Sequence, residues 1–188
     1  MPEPSAARCV PQAPAREWLR ALPPAARFIL QCGPAARAAA STVFGVALSG
    51  SACRANSQGS RAALWLGPDE HLLLGPAGDA EALSAALEAA MANVAHALVE
   101  ISHRQVALQV SGPHASAILN TGCPLNLELT AFPVGMCTRT MLGKAEIVLW
   151  RTGAAEFHLE VWRSFSDYVS RWLLEASQDF AEPGTLPL

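Results

Sequence analysis

Phe28-Ile-Leu-Gln-Cys-Gly-Pro34 and Val106-Ala-Leu-Gln-Val-Ser-Gly-Pro113 say the same thing twice. In each, an apolar run of strand character ends at a Gly-Pro step. Glycine permits a sharp exit from a strand, and proline is tolerated in the first turn of a helix. Ala35 to Phe44 follows the first step and His114 to Gly122 the second, both with helical composition. The match continues downstream. Arg61 to Leu74 reads as two short apolar strands around Gly67-Pro68-Asp69-Glu70, with a helix expected from about Asp79 to Ala92. Lys144 to Trp162 reads as two strands around Arg151-Thr-Gly-Ala-Ala-Glu156, with a helix from about Ser164 to Ala176. Asp79 and Ser164 are N-cap residue types. Leu83, Leu87 and Met91 recur at helical spacing in the first helix, as do Phe165, Tyr168, Trp172 and Leu173 in the second.

The repeated unit is therefore strand–helix–strand–strand–helix, and a further strand over Val94 to Ser102 leads into the second copy. Two such units predict an α+β fold of pseudo-duplicated ferredoxin-like units, with antiparallel hairpins and helices on one face of each. Residues 1–25, rich in Pro and Ala, are expected to form a weakly ordered lead-in. Residues 26–178 are expected to form a single domain of two halves (about 26–95 and 96–178), with 179–188 as a C-terminal tail.

Composition narrows the function classes. Hydrophobic residues make up 51% of the 188 and charged residues only 15%, against the roughly 25% usual in soluble domains. So few charges leave apolar surface that a partner is expected to cover. A net charge of −3 argues against nucleic-acid binding through phosphates. Lys144 is the only lysine among thirteen basic residues. Arginine suits interface pairing better than lysine does. Apolar runs stop well short of the roughly 20 residues that a membrane span needs, and the first residues lack the basic and apolar regions of a signal peptide. Five cysteines, Cys9, Cys32, Cys53, Cys123 and Cys137, form no CxxC pair and read as free thiols of a reducing cytoplasm.

Candidate chemistry is sparse. Ser102 and His103 are adjacent, and in a regular strand neighbours point to opposite faces, so they cannot act as nucleophile and base. No GxSxG elbow occurs. His71, His96, His103, His114 and His158 show no metal-ligand spacing. Gly33-Pro34 and Gly112-Pro113 lack the GxGxxG of a dinucleotide site and read as turn residues. Trp150, Trp162, Phe165, Tyr168 and Trp172 cluster in sequence, and most are expected to pack the last hairpin against the last helix. Arg139, Arg151 and Arg163 alternate with them and are expected to project from the opposite strand face, which makes them, with Trp162, the candidate partner interface.

Ala63-Leu-Trp-Leu-Gly-Pro-Asp-Glu-His-Leu-Leu-Leu74, Glu100 to Ala115, Ile118 to Leu127 and above all Ala131 to Val169 resemble the γ subunit family of heterotetrameric sarcosine oxidase. That family is in turn similar to the folate-binding domain of the glycine-cleavage aminomethyltransferases, whose fold contains such paired units. Glu100-Ile-Ser-His103 looks like the Asp-Val-Ser-His step of those enzymes. Where they carry paired aspartates before a strand, this chain reads Leu142-Gly-Lys-Ala-Glu146, and Cys123-Pro124 stands in place of an acidic turn. A glutamate there misplaces the carboxylate by about a methylene, and misplacements of roughly 1 Å are costly to catalysis.

The resemblance thus implies a subunit with no catalytic, cofactor-binding or metal-binding residue of its own. It implies partners, the α, β and δ subunits, that carry FAD, FMN, NAD, zinc and tetrahydrofolate. It also implies a cytoplasmic complex that oxidatively demethylates sarcosine to glycine, with formaldehyde or 5,10-methylenetetrahydrofolate and hydrogen peroxide as co-products. The alternative is a stand-alone folate-binding or one-carbon-transfer module, with Glu146 or Glu100 as its carboxylate.

Overall fold

The computed structural model describes residues 16–180. Leu19–Ala21 forms β1, Ala25–Cys32 β2, Pro34–Phe44 α1, Ala55–Gln58 β3, Arg61–Gly67 β4, Glu70–Pro76 β5, Ala80–Met91 α2 and His96–Glu100 β6. The second copy follows with β7 (Gln105–Ser111), α3 (Ala115–Asn120), β8 (Cys137–Leu142), β9 (Ala145–Gly153), β10 (Glu156–Trp162) and α4 (Ser166–Ala176). All pairings are antiparallel, in two five-stranded sheets ordered β3-β4-β5-β2-β6 and β8-β9-β10-β7-β1.

Alternation along the strands sorts the side chains into three cores. Phe28, Leu30, Ala63 and Leu73 face α1 and α2, meeting Ala36, Ala40, Leu83, Leu87 and Met91. Leu108, Ile147, Leu149, Phe157, Leu159 and Val161 face α3 and α4, meeting Ile118, Leu119, Val169 and Leu173. Ala62, Leu64, Leu72 and Leu74 turn the other way and meet Cys137 and Val148 of the opposite sheet. The molecule is therefore layered helices, sheet, sheet, helices, with the two sheets back to back.

In the first sheet β2-α1-β4-β5-α2-β6 is a complete ferredoxin-like βαββαβ unit, flanked by β3. In the second sheet no strand follows α4 among the described residues, and the position beside β7 is filled by β1. The edge strands β1 and β6 each precede one copy and pair with the first strand of the other: β1 leads into β2 but pairs with β7, while β6 leads into β7 but pairs with β2.

Several expectations need correction. The lead-in does not run to residue 25, because Leu19 is wholly buried and β1 belongs to the second sheet. Residues 1–15, with Cys9, and residues 181–188 lie outside the described residues. Asp79 makes no side-chain cap; α2 opens instead from a tight 3-10 turn over Ala77–Asp79, and the Asp79 carboxylate lies 3.7 Å from Arg61. Ser164 falls inside a similar turn, Arg163–Phe165, where Ser166 Oγ donates to Arg163 O (2.8 Å). The buried stripe of α4 is Ser166, Val169, Ser170 and Leu173, so Phe165 faces outward and Tyr168 and Trp172 are only half-buried.

Candidate functional site

Two features stand out from the packing. The first is ionic. Arg27 of β2 and Glu160 of β10 occupy the strand positions that face the opposite sheet, and they meet there at 2.6 Å (Nε to Oε2) with 3% and 0% side-chain exposure. His158 Nε2–H donates to the other carboxylate oxygen at 2.8 Å, and Arg27 Nη1–H donates to Ala25 O at 3.1 Å. Burial pushes the Glu160 carboxyl up, but the His158 hydrogen bond and the Arg27 guanidinium outweigh it and hold the group below its ordinary value. Sequence alone raised His158 only as a histidine without metal-ligand spacing, and did not raise Arg27 or Glu160. The available signal was an ionisable residue at every second position of an otherwise apolar strand, Phe157-His-Leu-Glu-Val161. A single chain read in isolation does not reveal that this face is covered by a second sheet.

The second feature is a strip of aromatic surface. Trp162 and Phe165 are each 41% exposed. The Arg104 guanidinium lies 4.8 Å from the Trp162 ring, Phe165 meets Tyr168 edge-on at 6.4 Å, and Tyr168 meets Trp172 at 6.0 Å. Arg163 is exposed at the same corner, where its backbone N–H donates to Arg104 O (2.9 Å).

The sequence candidates are dispersed by the fold. Trp162 and Arg163 share the aromatic strip. Arg139 is exposed on β8, where it forks onto Glu70 (2.7 and 3.4 Å) and lies 3.8 Å from Glu146, tying the two sheets together at their rim. Arg151 does not project outward: it is 3% exposed. Its guanidinium donates to Leu127 O, Phe132 O, Ala154 O and Ser116 Oγ at 2.7–3.2 Å and lies 4.6 Å from the Phe157 ring. The physical reason is that its fixed donors satisfy the Leu127 and Phe132 carbonyls of the long α3–β8 connection and the Gly153 and Ala154 carbonyls where β9 turns into β10, groups that otherwise would be orphaned.

Ser102-His103-Arg104 is a turn rather than a strand. Ser102 Oγ accepts from Arg27 N–H (3.0 Å) and donates to Glu100 Oε1 (2.8 Å), so the hydroxyl is committed to structure. Glu146 is 54% exposed and paired with Arg139. Neither Glu100 nor Glu146 lines the cavity between the sheets.

The family described as "Sarcosine oxidase, gamma subunit family" matches residues 31–179. The γ subunit of sarcosine oxidase from Corynebacterium sp. (strain P-1) is 37% identical over 127 residues, covering 68% of this chain and 62% of that protein. The corresponding subunit from Arthrobacter sp is 34% identical over 122 residues, covering 65% and 59%. The match spans less than two thirds of the length of either relative. Among solved structures, the heterotetrameric sarcosine oxidase of Corynebacterium sp. U-96, in complex with pyrrole 2-carboxylate, contains a chain that superposes with a TM-score of 0.82 and 29% identity. That superposition covers 92% of this chain and 90% of that one. The glycine cleavage system aminomethyltransferase T from Bartonella henselae (TM-score 0.64, 16% identity, 85% of this chain and 46% of that one) shares the fold. The family match runs through both ferredoxin-like units, from the end of β2 to the turn after α4, and this chain belongs to the sarcosine oxidase γ subunit family.

Proposed function

We propose that the chain is a scaffold subunit, without catalytic residues of its own, in a cytoplasmic heterotetramer that oxidatively demethylates sarcosine to glycine. In this reading the α, β and δ partners carry FAD, FMN, NAD, zinc and tetrahydrofolate, and the products are glycine, formaldehyde or 5,10-methylenetetrahydrofolate, and hydrogen peroxide. The observation that carries it is the end-to-end likeness to a chain of a heterotetrameric sarcosine oxidase, 92% of one chain on 90% of the other. A subunit whose Glu160, Arg151 and Ser102 are held in internal bonds supports an assembly by shape and apolar surface rather than by chemistry.

The docking patch in this reading is the strip around Trp162 and Arg163, with Arg104 and Phe165 beside them. Exposed tryptophan stacked on arginine is the composition of interface hot spots, and Arg139 at the sheet rim is the secondary candidate. Co-expression with the α, β and δ subunits, with an affinity tag on this chain alone, tests the reading. Recovery of a yellow complex that oxidises sarcosine is expected. Trp162→Ala with Phe165→Ala should reduce co-purified flavin by at least about tenfold, an interface loss of roughly 1.4 kcal/mol or more. The melting temperature of the isolated chain should stay within a few degrees, as for surface changes worth about 0.5 kcal/mol. A chain that emerges alone and colourless while binding tetrahydrofolate overturns the scaffold reading.

A further inference from the structure

A cavity of about 320 Å³ opens between the two sheets beside the buried ion pair, and Arg27, Arg61, Trp150, His158 and Glu160 line it together with small apolar residues such as Ala107. Its hydrogen-bonding capacity is lopsided. Both oxygens of Glu160 are engaged, one by Arg27 Nε–H and the other by His158. Arg27, by contrast, carries five N–H donors on its fork. Nε serves Glu160 and Nη1 serves Ala25 O, while Nη2 has no partner among the described residues although the side chain is only 3% exposed. Arg61 adds a second guanidinium at the mouth, one-third exposed and held by Phe44 O at 3.0 Å. Arg61 is itself met by the Asp79 carboxylate at 3.7 Å, so the donor left over in the lining is that of Arg27. What the cavity lacks is an acceptor.

Size and wall chemistry narrow the class. A volume near 320 Å³ lies at the small end of the roughly 300–1,000 Å³ range of ligand sites. The Trp150 ring, tilted against His158 with centroids 5.7 Å apart, supplies a flat apolar wall. We propose that this inter-sheet cavity binds a small monocarboxylate with a flat apolar body. The carboxylate takes Arg27 Nη2 and the body lies along the Trp150 indole. Because β2, β9 and β10 come from both sheets, such a ligand bridges the two halves and stabilises their joint, whatever the partner of the aromatic strip.

Benzoate is the probe, with acetate lacking the apolar body and benzamide lacking the charge, each titrated calorimetrically into the full chain and read also as a shift in melting temperature. Saturable benzoate binding with a raised melting temperature is expected. Acetate and benzamide are each expected to bind at least about tenfold more weakly. Ala107→Leu, which fills the cavity from the strand position directly opposite Glu160, should weaken benzoate by about tenfold or more. Arg27→Lys, which keeps the charge toward Glu160 and loses the fork, should do the same. The proposal fails if the unaltered chain shows no saturable benzoate binding. It fails equally if benzamide binds as well as benzoate, or if Ala107→Leu and Arg27→Lys both bind benzoate unchanged. Should Ala107→Leu not fold, the benzoate-to-benzamide ratio on the unaltered chain decides alone.

Discussion

Arg27 and Glu160 show how far one residue's role depends on what covers it. On an exposed face the pair would contribute little, at most about 1 kcal/mol. Buried at 2.6 Å, it is costly to break, because one charge stays behind without its partner. Arg27→Ala is expected to lower unfolding stability by about 3–5 kcal/mol in a urea titration. The same burial gives the chain an acid sensitivity. Glu160 is held below its ordinary 4.5 in the fold, so the stability it contributes is fully present above that value and is lost as pH falls through the lower, folded one. His71 acts in an earlier window. Burial first, and then the nearby Arg37 charge, pull it below 6.5, outweighing the Ser49 carbonyl that its Nε2–H meets at 2.8 Å. Its Nδ1 is buried without a partner, so protonation there has no acceptor to meet. Stability contributed by neutral His71 therefore begins to fall below pH 6.5. Melting temperature against pH should decline in two stages, and Glu160→Gln should flatten the stage below pH 4.5 while lowering the value at pH 7. A single decline unchanged by Glu160→Gln would refute the assignment. These residues were not legible as a group, since period-2 alternation separates the two faces of a strand without telling which face is wet.

The elements were legible where pattern and packing agree. Leu83, Leu87 and Met91, expected from their spacing, are the buried face of α2. Agreement failed where two spacings compete: Val169 and Leu173 hold the core side of α4, while Tyr168 and Trp172 lean over the glycines of neighbouring turns. A Cβ on Gly122 would lie 2.8 Å from Trp172 Nε1, and Gly143 sits at φ +58 beneath Tyr168 and Trp172. The two Gly-Pro steps are the sharper lesson, since identical letters fold differently. Gly33 has φ −75 and places Pro34 in the first turn of α1, with nothing within 4 Å of an added Cβ. Gly112 has φ +104, and α3 starts only at Ala115. Glycine is thus required at the second step alone. Gly112→Ala is expected to cost about 1–3 kcal/mol, whereas Gly33→Ala should be neutral or slightly stabilising, by up to about 1 kcal/mol. Equal effects of the two substitutions in parallel thermal melts would contradict this.

At the scale of the whole molecule the duplication was readable and the exchange of edge strands was not. Short strands such as Leu19–Ala21 carry almost no periodic signal, and nothing in a linear sequence states that β1 joins β7 across more than eighty intervening residues. The consequence is an asymmetry between the halves. A fragment ending at Ser102 retains β2 to β6 and thus an entire sheet with its two helices. A fragment beginning at His103 lacks β1, whose Leu19 is wholly buried in the second core, and lacks Arg27, leaving Glu160 without its cation. It also uncovers Cys137 and Val148, which pack against the inward face of the first sheet. Cut at the exposed turn around His103, the C-terminal fragment is expected to be insoluble or non-cooperative when expressed alone. Co-expression with the N-terminal fragment should rescue it into a complex that melts as one unit. Cooperative unfolding of the isolated C-terminal fragment, measured by circular dichroism, would mean that neither the exchanged strand nor the buried ion pair is needed to complete that half. The halves would then be neighbours rather than one interlocked domain.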